Sequence, residues 1–336
     1  MSLERSVGRA LAAPDLPWPR RLLKRLWAAT SRSAAWPLLV TLCVFFAAAG
    51  RGFLDPYNIN IILSQTVLIG VLAVGLTPLA ISGNIDLSVG AIAAIATVVA
   101  VLVEGRLGFL PSVIAALGVG TVIGLFNGVI VEKLGLSSII VTLAMGTALH
   151  GIAYMLFGSG TIVAKGSEYS DLGYLQVGGI GLTVIIFLAV AVLLAAMLRF
   201  TVHGANTFAI GGHRQAALDA GVNVARHVLA NFGISGFTAG LCGVLLVMSL
   251  GAGSATLARD YELWAIISVV LGGTRLVGGA GTIAGTIAAA LSLSVLRNGM
   301  NLMGIDVRWF LIALGASLIL ALILDRLRSG EPDRAE

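Results

Sequence analysis

Long apolar stretches with very few charges constrain this 336-residue chain more than any other feature of its sequence. A helix needs about 20 mostly apolar residues to cross roughly 30 Å of hydrocarbon. Ten stretches approach or meet that length, and they are 36–50, 59–82, 86–104, 110–131, 137–157, 181–198, 228–250, 262–273, 281–297 and 309–325. The pattern predicts an all-α polytopic membrane protein with about ten transmembrane helices.

The scarcity of charge excludes the soluble classes of protein. Asp, Glu, Lys and Arg make up 11% of the residues, against roughly 25% in an average soluble domain. So few charges cannot cover a globule in water, and we expect neither a soluble enzyme nor a nucleic-acid-binding protein, although the formal net charge is +5. Cys43 and Cys242 lie inside apolar stretches, which indicates neither a disulfide framework nor a metal site.

The distribution of Lys and Arg predicts the orientation in the membrane, because cytoplasmic loops carry an excess of both. With ten spans and residues 1–35 inside, fifteen of the 21 basic residues fall on the cytoplasmic side. We therefore expect a basic cytoplasmic tail at 1–35, a transmembrane domain at 36–325 and a cytoplasmic tail at 326–336. The first tail should carry a membrane-surface helix around Arg20–Trp27 rather than a cleavable signal peptide.

Two parts of the chain resemble each other at similar spacing. The first begins at Ile85-Asp86-Leu87 and contains Asn127-Gly128, and the second begins at Tyr261-Glu262-Leu263 and contains Asn298-Gly299. Five predicted spans separate the two starts, so the halves should lie in opposite orientations, as in inverted-repeat membrane proteins. Chance similarity between spans rich in Gly and Ala is the alternative.

Asn84, Asp86 and Ser88 interrupt the apolar stretch 59–103. A carboxylate inside hydrocarbon is costly, so Asp86 should face protein or a water-filled cavity. We expect it mainly to cap a helix that begins at Leu87, by accepting hydrogen bonds from the first N–H groups of that helix. The broken helix can also line a solute pathway.

Glu262 occupies the mirrored position in the second half of the chain. Its neighbours Tyr261 and Trp264 can stack on the apolar face of a sugar. Aromatic residues near the membrane interface more often anchor a helix there, and anchoring is the role that we expect.

Other polar residues lie within or close to the predicted spans. They are Gln65, Thr66, Asn127, Thr142, His150, Asn231, Asn298 and Asn301. They can bind a neutral polyol, or they can hydrogen-bond to one another between helices. For each of them taken singly, we expect the interhelical role.

Glycines at four-residue spacing predict close contact between helices. Gly120, Gly124 and Gly128 form one such series, and Gly236 with Gly240 forms another. The spacing does not identify which helices meet.

Segment 199–227 carries three of the four histidines. Residues 215–220 should form a short helix that ends at Gly221. Such a helix can dock a partner protein or be a solvated connector. The chain contains no G-x-x-x-x-G-K-[ST] motif, so we do not expect it to hydrolyse ATP by a P-loop mechanism.

Several motifs occur together in a fixed order. They are Asn84-Ile85-Asp86-Leu87-Ser88-Val89-Gly90, Asn127-Gly128, Ala209-Ile210-Gly211-Gly212 with Ala216-Ala217 and Gly221, Tyr261-Glu262-Leu263, Val270-Leu271-Gly272-Gly273-Thr274, and Asn298-Gly299. In these motifs the chain resembles the ribose-type sugar permeases of ATP-binding-cassette (ABC) importers, from about residue 55 to Arg326. It departs from that family's pattern at Asn84, where Gly is usual, and at His213, where Asn is usual.

The resemblance implies a type II ABC-importer-like permease in the bacterial inner membrane, in contact with lipid and paired with a second copy or a different permease. It implies two cytoplasmic ATPase subunits, which bind ATP and Mg, and a periplasmic or extracytoplasmic sugar-binding protein. No cofactor, metal or nucleic acid is expected on this chain itself.

The resemblance also implies a coupling segment at about 200–227 that seats in the ATPase. Its expected coupling residues are Gly211, Gly212, His213, Ala216, Ala217, Gly221 and Asn223. The candidates for the solute pathway are Asn84, Asp86, Ser88, Asn127, Glu262, Trp264 and Asn298.

A monosaccharide such as ribose is the expected cargo, and a nucleoside, inositol, an autoinducer or an amino acid remains open. The alternative from another class is a secondary transporter that uses Asp86 and Glu262 as proton or sodium sites. An intramembrane enzyme is disfavoured because the sequence has no paired catalytic groups.

Overall fold

The computed structural model describes residues 33, 35–50, 52–158, 160–306, 308–310, 312–316 and 319. The tail 326–336, the helix predicted around Arg20–Trp27 and nearly all of the tail 1–35 lie outside these residues. So does about half of the tenth predicted span.

The described residues form helices joined by short loops and by two pairs of very short strands. The helices are α1 Ala35–Ala49, α2 Pro56–Ile81, α3 Val89–Leu107, α4 Phe109–Leu134, α5 Ser138–Phe157, α6 Glu168–Tyr174, α7 Leu182–Phe200, α8 Val202–Gly212, α9 Arg214–Asp219, α10 Val224–Leu250, α11 Tyr261–Leu271 and α12 Ile283–Leu302. The strands are β1 Ile162–Val163, β2 Gln176–Val177, β3 Ile180–Gly181 and β4 Ala252–Gly253. Residues 308–310 and 312–316 are also helical.

Seven of the described helices are long and apolar enough to cross a membrane, namely α2, α3, α4, α5, α7, α10 and α12. Each matches one of the predicted spans. Helix α1 is apolar but has 15 residues, and α11 has 11 residues, which is about 17 Å of helix. The eighth predicted span is therefore a short helix between the non-helical segments 251–260 and 272–282.

One end of the helix bundle is defined by Ile81, Gly211 and Gly279, and we call it the Gly211 end. The backbone N–H of Gly279 donates to the carbonyl oxygen of Ile81 at 2.9 Å. Gly211 packs so closely on the same carbonyl that a Cβ there would overlap its oxygen. The C-terminal ends of α2 and α8 and segment 272–282 thus meet at one place.

The opposite end is defined by β1, β4 and Glu104, and we call it the strand end. Strands β1 and β4 pair antiparallel. The Glu104 carboxylate accepts hydrogen bonds from the backbone N–H groups of Lys165, at 3.0 Å, and Gly166, at 2.5 Å. Helix α3 therefore runs from the Gly211 end to the strand end, while α11, which follows β4 and precedes segment 272–282, runs the opposite way.

Helix α10 lies at the centre of the bundle and packs against α2, α3 and α4. Gly120 and Gly124 of α4 face Gly236 and Gly240 of α10, and a Cβ on Gly120 would lie 2.9 Å from the Gly240 Cα. This spacing admits no side chain, so the predicted close contact is confirmed and its partners are α4 and α10. Close backbone approach of this kind is how membrane helices gain dispersion contacts when lipid is as apolar as their side chains.

Candidate functional site

The helix predicted at 215–220 is present as α9, Arg214–Asp219. His213 caps its first turn, because His213 Nδ1 accepts a hydrogen bond from the Ala216 N–H at 3.1 Å. At the other end Gly221 has φ +81°. The N–H groups of Gly221 and Val222 donate to the carbonyl oxygens of Leu218, at 2.9 Å, and Ala217, at 3.0 Å, which is the Schellman arrangement of a helix C-terminus. Asn223 then caps α10 by accepting from the Arg226 N–H at 3.0 Å.

The segment around α9 is fixed to the membrane domain on its inner side. Gly211 contacts Ile81, as described above, and Ala217 is 4% exposed. Arg214 forms an ion pair of 2.7 Å with Glu132 of α4. The sequence gives no spacing signal for this pair, which lies 82 residues apart. The inner contacts hold α9 at a fixed place on the Gly211 end.

The outer side of the same segment has no partner within the described chain. No atom comes within 4 Å of a Cβ placed on Gly212, Ala216 is exposed, and the apolar Leu218 side chain is 46% exposed. Of the predicted coupling residues, Gly212 and Ala216 thus face outward, whereas Gly211 and Ala217 face inward. A bulky substitution tests docking at Gly212 but tests internal packing at Ala217.

A chain of hydrogen bonds that the sequence did not predict ties α8 to the membrane helices. His203 Nδ1 and His227 Nδ1 are 2.7 Å apart, His203 Nε2 lies 2.9 Å from Asn231 Oδ1, and Asn206 Nδ2 lies 2.9 Å from His227 Nε2. Because Asn206 Nδ2 only donates, His227 Nε2 accepts, and His227 must carry its proton on Nδ1. That proton is donated to His203 Nδ1, which therefore carries no proton of its own. With the amide groups of Asn206 and Asn231 oriented in this way, both imidazole rings are neutral.

The histidine chain continues into the bundle. Asn231 Nδ2 donates to Thr207 Oγ1 of α8 and to the Pro78 carbonyl oxygen of α2, both at 3.4 Å. These hydrogen bonds join α8 to α2 and α10. The only signal in the sequence is the concentration of histidines in 199–227, which does not identify their partners.

Asp86, Ser88, Asn127 and Ser235 form a buried network between α3, α4 and α10. Asp86 Oδ1 accepts from the Ser88 N–H at 2.9 Å and from Ser88 Oγ at 2.5 Å, and Asp86 Oδ2 accepts from Ser235 Oγ at 3.0 Å. Asn127 Nδ2 donates to Ser88 Oγ at 2.9 Å. Asp86, Ser88 and Asn127 are 0% exposed, so these three pathway candidates join helices and do not line an open passage in this conformation.

The predicted capping role of Asp86 is wrong in its position. Helix α3 begins at Val89, two residues beyond the predicted start at Leu87. Its N-cap is Ser88. Asp86 closes the turn that precedes the helix, because its carboxylate takes the Ser88 N–H instead of an N–H of the first helical turn. The loop N–H of Leu87 is satisfied by Thr142 Oγ1 of α5 at 2.9 Å.

Asn84 is the pathway candidate that lies at a cavity of the Gly211 end. This cavity has a volume of about 370 Å³ and is also lined by Ser138, Glu132 and Arg214. Asn84 itself is 9% exposed, and its side chain donates to the Ser82 carbonyl oxygen at 3.4 Å.

Glu262 lies in the first turn of α11 and packs against Gly90 of α3. Its Oε2 atom is buried without a hydrogen-bond partner in the described structure. Unlike Asp86, it is not joined to the Asn-Gly helix of its own half. The two acidic positions are therefore equivalent in sequence pattern but not in hydrogen bonding.

Trp264 lies inside the bundle, which corrects the expectation of a membrane anchor. It is 7% exposed, and its ring centre is 4.9 Å from that of Phe310. The Arg297 guanidinium carbon lies 5.0 Å from the Trp264 ring centre. The Trp264 ring thus packs against Phe310 and also makes a cation–π contact with Arg297.

Asn298 joins α12 to α2 through a reciprocal pair of amide hydrogen bonds. Asn298 Nδ2 donates to Asn58 Oδ1 at 2.8 Å, and Asn58 Nδ2 donates to Asn298 Oδ1 at 3.0 Å. The interhelical role expected for such residues is confirmed here, as it is for Asn127 and Asn231, whereas Thr142 bonds to the loop before α3. Within the described residues, no group of three or more His, Cys, Asp or Glu side chains could hold a metal ion.

Comparison with known proteins identifies the family. Residues 58–322 match the family described as the branched-chain amino acid transport system / permease component. No solved structure matches the chain.

Several curated relatives match along nearly the whole chain. The ribose import permease protein RbsC of Escherichia coli (strain K12) is 35% identical over 312 residues, which cover 91% of this chain and 96% of the relative. The L-arabinose ABC transporter permease protein AraH of Azospirillum brasilense is 30% identical over 98% of each chain. The fructose import permease protein FrcC of Rhizobium meliloti is 32% identical over 88% of this chain and 86% of its own. With its polytopic helices and these matches, the chain belongs to the family of ABC importer permease components.

Proposed function

We propose that this chain is the permease subunit of an ATP-driven importer that carries a monosaccharide such as ribose, delivered by a solute-binding protein. The observation that carries the proposal is the short helix α9, which is held rigidly to the membrane domain on one side and is unpartnered on the other. A permease that has no ATPase of its own needs a surface on which a separate ATPase subunit can dock and move it.

The proposed assembly contains two permeases, identical or different, two ATPase subunits that bind ATP and Mg, and an extracytoplasmic sugar-binding protein. It lies in the bacterial inner membrane with both permease termini in the cytoplasm, so the Gly211 end faces the ATPase and the strand end faces the binding protein. The tail 1–35, the membrane domain 36–325 with its coupling segment, and the tail 326–336 remain the proposed division of the chain.

The proposed membrane domain has about ten spans in two inverted halves of a type II ABC importer. The opposite directions of α3 and α11 support this arrangement. The glycines that follow the two Asn-Gly helices support it as well, since Gly135 and Gly304 have φ of +63° and +70°. Each helix is thus followed closely by a glycine in the left-handed region.

The proposed mechanism is rocking of the two halves, and of the two permeases, between inward-open and outward-open states. Closure of the ATPase pair moves α9 through its outer face, which includes Gly212, His213 and Ala216. Gly211, Ala217, Gly221 and Asn223 keep the segment rigid, and the histidine chain passes the displacement to α2 and α10. The bound cargo is held weakly, since the binding protein supplies most of the affinity.

Substitution of Gly212 tests the docking surface. In a complex reconstituted with its ATPase and binding protein, Gly212→Trp should abolish uptake and transport-coupled ATPase activity. Membrane insertion and the thermal unfolding midpoint should be unchanged, because the structure has open space at this position. Gly212→Ala is the matched control and should retain uptake.

Normal uptake by Gly212→Trp would refute the coupling assignment. The same reconstitution tests the secondary-transport alternative, which has Asp86 and Glu262 as ion sites. Gradient-driven uptake by vesicles that contain this chain without the ATPase would establish that alternative instead.

A further inference from the structure

A small polar cavity lies near the strand end between α2, α12 and residues 305–310. Its volume is about 190 Å³, below the roughly 300–1,000 Å³ of pockets for drug-sized ligands. The polar side chains in its wall include Gln65 of α2 and Arg297 and Asn301 of α12, and the apolar wall includes Met300 and Phe310. The size suits one small solute.

Arg297 brings an unpaired cation to this cavity. It lies in the membrane-spanning helix α12 and is half-buried, yet it makes no ion pair or hydrogen bond with any described residue. Its contact is with the face of Trp264, at 5.0 Å. A charge within a membrane-spanning helix is costly and normally marks a pathway or a binding site. The guanidinium therefore keeps its N–H donors free for a ligand.

Gln65 brings an unpaired acceptor to the same wall. Its Oε1 atom is buried and has no hydrogen-bond partner among the described residues. The side chain also lines a second, larger cleft of about 430 Å³, together with Asn60, Ser64 and Gln176. Gln65 thus lies where two cavities along α2 meet.

The free donors and the free acceptor together specify the chemistry of the occupant. A hydroxyl group both donates and accepts, so neighbouring hydroxyls of one solute can satisfy Gln65 Oε1 and Arg297 at the same time. A simple carboxylate or another anion without an O–H or N–H group has no proton to donate to Gln65 Oε1. Among the described residues, the cavity wall contains no Asp or Glu, so a cation or the ammonium group of an amino acid would face Arg297 without compensation. An apolar solute would leave both polar groups unsatisfied.

We propose that this cavity is a transient subsite for a neutral monosaccharide, in which Arg297 and Gln65 bind adjacent hydroxyl groups. The proposal rests on the monosaccharide import proposed above and assigns residues to it. Trp264 is a positioning residue, because its buried ring holds the Arg297 guanidinium beside it at 5.0 Å. Asn301 is exposed at the rim, which leaves the site open for release.

The test uses proteoliposomes that contain the complete importer with its ATPase and binding protein. Uptake of D-ribose, L-arabinose and D-fructose is measured for the unsubstituted chain and for Arg297→Lys and Gln65→Leu. Each substitution removes hydrogen bonds with little change in size, and each should lower the maximal uptake rate about tenfold. Thr147→Val, which removes an exposed hydroxyl from α5, is the control and should transport normally.

A second readout separates sugar contact from a merely structural role. The ratio of uptake rates for D-ribose and 2-deoxy-D-ribose is compared between variants with the same binding protein, so the selectivity of that protein cancels. The ratio should move towards one in whichever variant contacts the missing hydroxyl. Sugar uptake with unchanged rate and ratio in both variants would overturn the subsite alone. Absence of ATP-driven uptake of every sugar by the unsubstituted complex would overturn the proposed function as well.

Discussion

Asp86 shows how many hydrogen bonds a single buried side chain can accept. Its carboxylate accepts three hydrogen bonds, from the Ser88 N–H, Ser88 Oγ and Ser235 Oγ, and hydrogen bonds to an ionised acceptor are stronger than neutral ones. The side chain is 0% exposed. A proton or sodium site must exchange with water, whereas this carboxylate is enclosed by α3, α4 and α10.

Asp86→Asn and Asp86→Ala distinguish a structural, hydrogen-bonding role of Asp86 from a role as a proton or sodium site. The amide of Asp86→Asn still accepts from Ser88, and the Ser235 hydroxyl can rotate to accept from the amide N–H, so uptake should persist. Asp86→Ala leaves several buried donors without an acceptor and should destabilise the protein by at least about 2 kcal/mol. The measurements are uptake and the thermal unfolding midpoint of the detergent-solubilised complex.

Ser235→Ala provides the control, since it removes only one of the three hydrogen bonds and should have the smaller effect on unfolding. If Asp86→Asn is stable but transports nothing, Asp86 acts through its charge, and the structural assignment fails.

At the level of single residues, the sequence predicted which polar side chains lie in the membrane but not which of them meet. Asn58 and Asn298 are 240 positions apart, and no local spacing connects them. The same is true of Arg297, which the sequence indicates only as a basic residue on the outer side. Its free donors become visible once the fold places Trp264 on one face and the cavity beside it.

Among the secondary-structure elements, α9 depends most on contacts outside itself. A helix of 6 residues is too short to be stable alone. It is held by the cap at His213, by the turn at Gly221 and by the ion pair between Arg214 and Glu132. The Arg214 side chain is 50% exposed, so the pair adds at most ~1 kcal/mol to folding. Its role is to fix the direction of α9.

Charge reversal tests that role. Arg214→Glu places two carboxylates together and should reduce transport-coupled ATPase activity about fivefold, equivalent to ~1 kcal/mol. The double variant Arg214→Glu with Glu132→Arg restores an opposite pair and should recover most of the activity. ATPase activity of the reconstituted complex, with and without loaded binding protein, is the measurement. No recovery in the double variant would indicate that Arg214 contacts the ATPase directly.

The sequence predicted most of the elements because hydrophobic stretches of span length have few alternatives in a membrane. It misplaced the start of α3, since the turn-forming hydrogen bond from Ser88 to Asp86 competes with a helical start at Leu87. It also gave no signal for β1 and β4, which are only two residues long and pair across 90 positions of the chain. Such short pairs are fixed by the helices that bring them together.

The whole molecule combines a central contact of glycines with helices α3 and α11, which run in opposite directions. Helices α4 and α10 approach closely at Gly120 and Gly236. A bundle built in this way can rock about the central contact while the loops at its two ends open in turn. The alternating access proposed above therefore depends on the proposed inverted arrangement of the two halves.

Leu136 and Ile305 provide a direct test of this inversion, because they follow Gly135 and Gly304 at matching positions of the two halves. They are 49% and 37% exposed. In a chain with Cys43→Ser and Cys242→Ala, Leu136→Cys should react with a membrane-impermeant maleimide only after the cells are permeabilised. Ile305→Cys should react in intact spheroplasts. Labelling of both from the same side would mean that an even number of spans separates them and that the halves are parallel, which would remove the physical basis for rocking between the two ends.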